Sequence, residues 1–181
     1  MLKAWEMRRA ADHTTDAQGV GAERTYLACL SADQMLMIPV ERMRHIAPVG
    51  DIAPFPDAPP HVLGRTQIGG ALVVLIDLGQ LIGARRDPNA VHDPDARALC
   101  LEVQGDDGVI HVGLRVDAVT GVGRLDGDEM TALAARGMLK WDSRMVEGVG
   151  HYQERAVTVL NVDGLLSTAV LAEAMEGGDD A

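Results

Sequence analysis

Two stretches of equal length decide the architecture: Val62–Leu78, VLGRTQIGGALVVLIDL, and Val146–Val162, VEGVGHYQERAVTVLNV. A shift of 84 residues lays the first on the second. It makes identities of Val62 with Val146, Gly64 with Gly148, Val73 with Val157 and, just beyond, Leu81 with Leu165. Under the same shift Leu75-Ile76-Asp77-Leu78 meets Val159-Leu160-Asn161-Val162 without a gap. A second shift, of 76 residues, sets Val40-Glu41-Arg42-Met43 and Ile46 over Val116-Asp117-Ala118-Val119 and Val122. The identities are few, but they fall on the same structural events in the same order, which is the mark of an internal repeat.

Those events are mostly strands. Tyr26–Leu30 and Met35–Ile38 are short apolar runs around the turn-forming Ser31-Ala32-Asp33-Gln34, and Pro39, which has no N–H for a ladder, ends the second run. Leu99, Leu101 and Val103 alternate with Cys100 and Glu102. After the turn Gly105–Gly108, Ile110, Val112, Leu114 and Val116 alternate with His111, Gly113 and Arg115, the period of a half-buried hairpin. Ala71–Leu78 and Ala156–Val162 read as buried strands. Asp126 and Glu129 stand at capping-box spacing, so helical stretches are expected within 126–138, and Thr168–Met175 favours a C-terminal helix. Many short strands with glycine and proline punctuation imply a mostly β protein built as two small barrels sharing a core, with short helices. The expected boundaries are an N-terminal extension, 1–23, with mixed charges and no apolar period; a domain over 24–166 with halves at 24–83 and 97–166; and a helix with an acidic tail over 167–181.

Composition narrows the function. At 181 residues and 47% hydrophobic the chain can bury a sizeable core, yet only 3% is aromatic, so that core is aliphatic and base-stacking platforms are scarce. Sixteen basic against 27 acidic residues give a net charge of −11, a poor match to nucleic acid or an anionic membrane. The longest aliphatic run, Ala71–Ile76, is far too short for membrane insertion, and charges interrupt the N-terminus where a signal-peptide core would lie. Cys29 and Cys100 sit in strand-like runs without CxxC spacing, as reduced, buried thiols of a cytoplasmic protein do.

No catalytic, cofactor or metal constellation emerges. GxSxG, HExxH, the P-loop and the dinucleotide fingerprint are all missing. His92, Asp93 and Asp95 flank Pro94 in a turn-rich loop and read as solvated. His151 and Glu154 straddle a hairpin turn. Asp77 and Asn161, at equivalent strand ends, read as groups that satisfy turn amides rather than as paired acids. The chain reads as a binding protein, not an enzyme.

One family fits these residues. Gly64-Arg65-Thr66-Gln67-Ile68-Gly69-Gly70, followed by the apolar run to Asp77-Leu78, resembles the central G-x-x-N-L-R-G, strand, D-L motif of CheW-type chemotaxis coupling proteins. Met37–Ile46 resembles the upstream stretch of that family, Val116–Val122 its V-D-x-V-x-x-V segment, and Gly148 with Arg155–Leu166 its closing strand. The resemblance spans Thr25 to Leu166. It implies two five-stranded barrel subdomains around one core. It also implies a non-catalytic adaptor bridging the cytoplasmic tip of a methyl-accepting chemoreceptor to the regulatory domain of a CheA-type histidine kinase. By the same resemblance the partner-binding residues are Met43, His45, Ile46, Gly64, Gln67, Ile68, Gly69 and Gly70. The chain departs from the family at Gly69, where Arg is usual, at His45, where Glu is common, and at Gln67, Val74 and Gly79.

Two further readings stay open. A β-barrel that binds a small ligand, or an enzyme whose site the motifs miss, would carry a polar-lined pocket. A regulator of the same fold would occupy receptor positions without activating a kinase.

Overall fold

The structure is a computed structural model that describes residues 24–85, 87–132 and 143–167. The N-terminal extension and the expected helix at Thr168–Met175 lie outside the described residues.

Each half opens with a hairpin. β1 (Tyr26–Ser31) and β2 (Gln34–Pro39) turn through Ala32 and Asp33; β6 (Arg97–Gly105) and β7 (Gly108–Val116) are three residue pairs longer. A third strand follows, β3 (Met43–Pro48) in one half and β8 (Ala118–Gly123) in the other. A second hairpin ends each half: β4 (Val62–Ile68) with β5 (Ala71–Asp77), and β10 (Val146–Tyr152) with β11 (Arg155–Leu160). Each closing strand runs into a one-turn helix, α1 (Leu78–Leu81) and α2 (Val162–Leu165), and the two-residue β9 (Met130–Thr131) lies on the edge of β10.

The pairings repeat at the offsets of the sequence. Val62 pairs Ile76 and Gly64 pairs Leu75 across a bulge, and Val146 pairs Leu160 and Gly148 pairs Val159 across the same bulge. Met43 and His45 meet Leu101 and Cys100 as Val119 and Gly121 meet Cys29 and Ala28, again with a matching bulge. Asp77 caps α1 by accepting from Gln80 N at 3.0 Å, and Asn161 caps α2 by accepting from Gly164 N at 3.1 Å. Asp and Asn are favoured there because the side-chain oxygen meets an amide that the short helix cannot.

Neither sheet draws on one half alone. One has the order β8-β1-β2-β11-β10-β9 and the other β3-β6-β7-β5-β4, so each half lends its third strand and its last hairpin to the opposite sheet. The central core lies between the sheets and is almost wholly aliphatic, with Leu27, Leu36, Ile38, Leu99, Leu101, Leu114, Val116 and Leu160 among its members. Each barrel also has its own interior: Tyr26, Met37, Tyr152 and Val159 fill one, and Ile68, Val73, Leu75 and Cys100 the other. Burial pushes the Cys29 thiol up to about 12, which suits an inert core residue.

Two sequence expectations are corrected. The described part of 126–138 is a 3-10 turn at Asp126–Asp128 followed by β9, not an α-helix. Leu125 holds the cap position, and the Asp126 carboxylate instead accepts from Gln153 N and Glu154 N. The alternation along β7 also fails at both ends. Ile110 is 51% exposed, because β6 and β7 run past the cover of the opposing sheet, while Arg115 is completely buried. A barrel strand has two buried faces, so a period of two does not separate core from solvent on it.

His61, in the place that Met145 holds in the other half, is buried with no partner for Nε2. Burial therefore lowers its pKa below the ordinary 6.5. The unfolded chain takes up a proton that the folded one resists, so stability falls as pH drops from 6.5 toward the lowered value. In urea melts at pH 7.5 and 5, His61→Met is expected to lose less stability than the native chain on acidification. Equal losses would show that His61 does not drive the acid sensitivity.

Candidate partner-binding surface

The segment singled out by the sequence folds into one corner of the second sheet. β3 is an edge strand, and barrel closure brings it beside the β4–β5 turn. That turn needs positive φ at both central residues, 57° at Gly69 and 85° at Gly70, which glycine adopts without a Cβ penalty. The His45 ring fills the space over Gly69: a Cβ built there would stand 2.5 Å from its carbons. The two departures from the family pattern, at 45 and 69, thus touch each other.

Of the eight residues, His45, Ile46, Gln67, Gly69 and Gly70 are exposed, Ile46 by 45%. Met43 is half-buried against the central core. Gly64 and Ile68 do not reach the surface. Gly64 lies under the Ala53 backbone, and Ile68 packs inside the barrel. Neighbouring charges are largely paired. Arg44 meets Glu102, and Arg42 grips both oxygens of Asp163 while also donating to Glu102 O at 2.9 Å. That grip, helped by the Gln104 amide, holds the Asp163 carboxyl below its ordinary 3.8. Arg65 lies over the Phe55 ring at 5.7 Å.

The sequence reading missed an aliphatic patch beside this corner. Leu72 is 63% exposed on β5, with Val74 on the same face of the strand, and Val109 and Ile110 are exposed on β7. The internal repeat marks these residues as unnecessary to the fold: the counterparts of Leu72, Val74 and Ile110 are Ala156, Thr158 and Gln34. The two shifts that reveal the repeat, of 84 and 76 residues, could have found these residues. Leu72 also lips an open cleft of about 400 Å3 between Gly50–Ala53 and Arg65–Gln67. Ile46 and Val122, equivalent across the repeat, are both exposed on edge strands.

Interleaved barrels with exposed aliphatic patches define a protein that works by docking onto others. Among the described residues no group of three or more His, Cys, Asp or Glu is placed to hold a metal ion, and no helix is long and apolar enough to cross a membrane. The sequence pattern of the CheW-like domain matches residues 25–170. The chain belongs to the CheW-like family, whose members are non-catalytic scaffold proteins of chemotaxis signalling. Its fold is similar to that of the scaffolding protein TtCheW from Thermoanaerobacter tengcongensis. The TM-score is 0.69 at 18% sequence identity, over 81% of this chain and 94% of that one. No curated protein matches the sequence significantly.

Proposed function

We propose that this protein couples chemoreceptors to a CheA-type histidine kinase in the cytoplasm, as an adaptor without catalysis. Its partner surface is built from Met43, His45, Ile46, Gln67, Gly69 and Gly70, with Gly64 and Ile68 supporting them from beneath. The observation that carries this reading is the CheW-like pattern over 25–170, most of the chain. The exposed aliphatic residues at this corner suit docking through apolar contact and strand edges.

The contact of His45 with Gly69 favours a dedicated receptor and kinase over the usual ones. The resemblance puts Glu and Arg at these positions, and a charge-assisted hydrogen bond to a partner would be worth about ten- to a hundredfold in affinity. Arg at 69 alone meets the His45 ring and a left-handed backbone, so the informative variant is His45→Glu with Gly69→Arg. In a reconstituted receptor–kinase assay with the usual partners, the native chain is expected to couple weakly and the double variant to gain about tenfold or more. Full coupling by the native chain, unimproved in the variant, would remove the dedicated-partner reading. Failure to bind any CheA-type regulatory domain, including one encoded beside it, would remove the adaptor reading.

A further inference from the structure

Among the described residues, three hairpin turns carry two consecutive residues at positive φ: Ala32 and Asp33 at 52° and 62°, Gly69 and Gly70 at 57° and 85°, and Gln153 and Glu154 at 51° and 63°. Consecutive main-chain N–H groups in such a turn form a concave pair of donors suited to an anion. Two of the three turns are held by an aspartate from another segment. Asp117 Oδ2 accepts from Ala32 N at 2.9 Å. Asp126 serves both amides of the last turn, accepting from Gln153 N at 3.1 Å through Oδ1 and from Glu154 N at 2.8 Å through Oδ2.

Gly69–Gly70 is the internal copy of Gln153–Glu154. The strands on either side are in the same register, Ile68 with Ala71 matching Tyr152 with Arg155. Yet neither glycine N–H meets an acceptor among the described residues, and both glycines are exposed. The segment equivalent to that of Asp126 follows Gly50 and pairs elsewhere: Ala53 pairs Arg65, and Asp51 O accepts from Thr66 Oγ1 at 2.8 Å. The backbone that grips Asp126 in one half is therefore repeated in the other with its N–H groups facing solvent.

We infer that the Gly69–Gly70 turn takes a single carboxylate, from an aspartate or glutamate of the docking partner, on its two main-chain N–H groups. The net charge of −11 weakens the binding of a free small anion without preventing it, and added salt screens that repulsion. A carboxylate delivered on a protein is different, because apolar contact with the neighbouring Ile46 and Leu72 brings it in. Only the identity of that protein rests on the adaptor reading; the donor pair does not.

The test uses the full native chain, isotope-labelled, titrated with sodium acetate against sodium chloride at matched ionic strength. The Gly69 and Gly70 amide resonances are expected to move downfield and saturate with acetate, while those of Gln153 and Glu154 stay still because Asp126 occupies them. In Asp126→Ala the second pair should respond as well. Glycine amides that ignore acetate, or answer chloride equally, overturn the inference. Hydrogen exchange in complex with a CheA-type regulatory domain separates the two readings. Binding with Gly69 and Gly70 slowed about tenfold or more supports both. Binding that leaves them exchanging freely overturns the carboxylate site and spares the adaptor. An acetate response without binding to any kinase domain or receptor tip does the reverse.

Discussion

Arg115→Met is expected to lower the unfolding free energy by about 3–5 kcal/mol, the usual cost of removing one partner from a buried charge cluster. The guanidinium is fully buried. Its Nη1 lies 2.5 Å from Asp117 Oδ1 and 3.8 Å from Asp77 Oδ2, its Nε donates to Val91 O at 3.1 Å, and its Nη2 donates to Ala90 O. Four segments meet on this one side chain. Asp77 caps α1, Asp117 holds the β1–β2 turn through Ala32, Ala90 and Val91 belong to the connection between the halves, and Arg115 itself sits on β7. Methionine fills much of the volume but leaves the Asp77 carboxylate and two carbonyls facing an apolar group. A domain of this size has only about 5–15 kcal/mol in hand, so the melting temperature should fall by about 10 °C. A loss under about 1 kcal/mol would mean that water or a shifted loop replaces the guanidinium at little cost. Adding Asp117→Asn to Arg115→Met should recover part of the loss, because it removes one of the stranded charges.

Gly64→Ala should be nearly as damaging. The methyl would stand 2.3 Å from Ala53 O and 2.8 Å from Pro54 Cα, at a φ of 139°. Both contacts are backbone, so nothing short of moving the Ala53 segment relieves them. That breaks the paired bonds between Ala53 and Arg65, each 2.8 Å. Strain and overpacking together suggest a cost of about 3 kcal/mol. Its copy, Gly148, makes a useful comparison: its backbone is not left-handed, and a methyl there would meet Cγ of the flexible Met130 at 2.6 Å and Thr131 O of the two-residue edge strand β9 at 2.7 Å, which can shift more easily than the Ala53 segment. Gly148→Ala should therefore cost less. Thermal melts of the two variants in which Gly148→Ala proved the worse would refute this account of the bulge.

The pattern of the halves was readable because it depends on local rules. Gly64 and Gly148, Asp77 and Asn161, and the apolar strands before them each answer to a bulge, a cap or a buried strand, and those needs recur wherever the backbone recurs. Arg115 was not readable as a core residue. Its burial beside Asp117 depends on Ala90, Val91 and Asp77 converging from distant parts of the chain, and no local period encodes that convergence. Asp126 was misread for a related reason. Its spacing to Glu129 is that of a capping box, but the Gln153–Glu154 turn offers two amides at closer quarters. At the candidate surface the motif located the Gly69–Gly70 turn by type. The packing of His45 onto it is invisible in a linear reading, because 24 positions separate the two residues. Which sheet each strand joins was likewise hidden, since β3 and β8 carry no mark of their destination.

That exchange of strands has a consequence for how the protein is made. The hairpin of β1 and β2 leaves the ribosome long before β11, whose Thr158 and Val159 are the parallel neighbours of β2. β8, on the other flank of β1, also comes late, at Ala118–Gly123. Until then both flanks of the hairpin are unpaired edges, the condition in which nascent chains stick to one another. The opposing sheet waits in the same way, with β3 made long before β6 and β5 before β7. Synthesis of this chain is thus a race between its own last strands and those of its neighbours on the polysome. Residues 1–145 already hold 15 basic against 20 acidic side chains, a charge of −5 that helps keep those neighbours apart while β10 and β11 are being made.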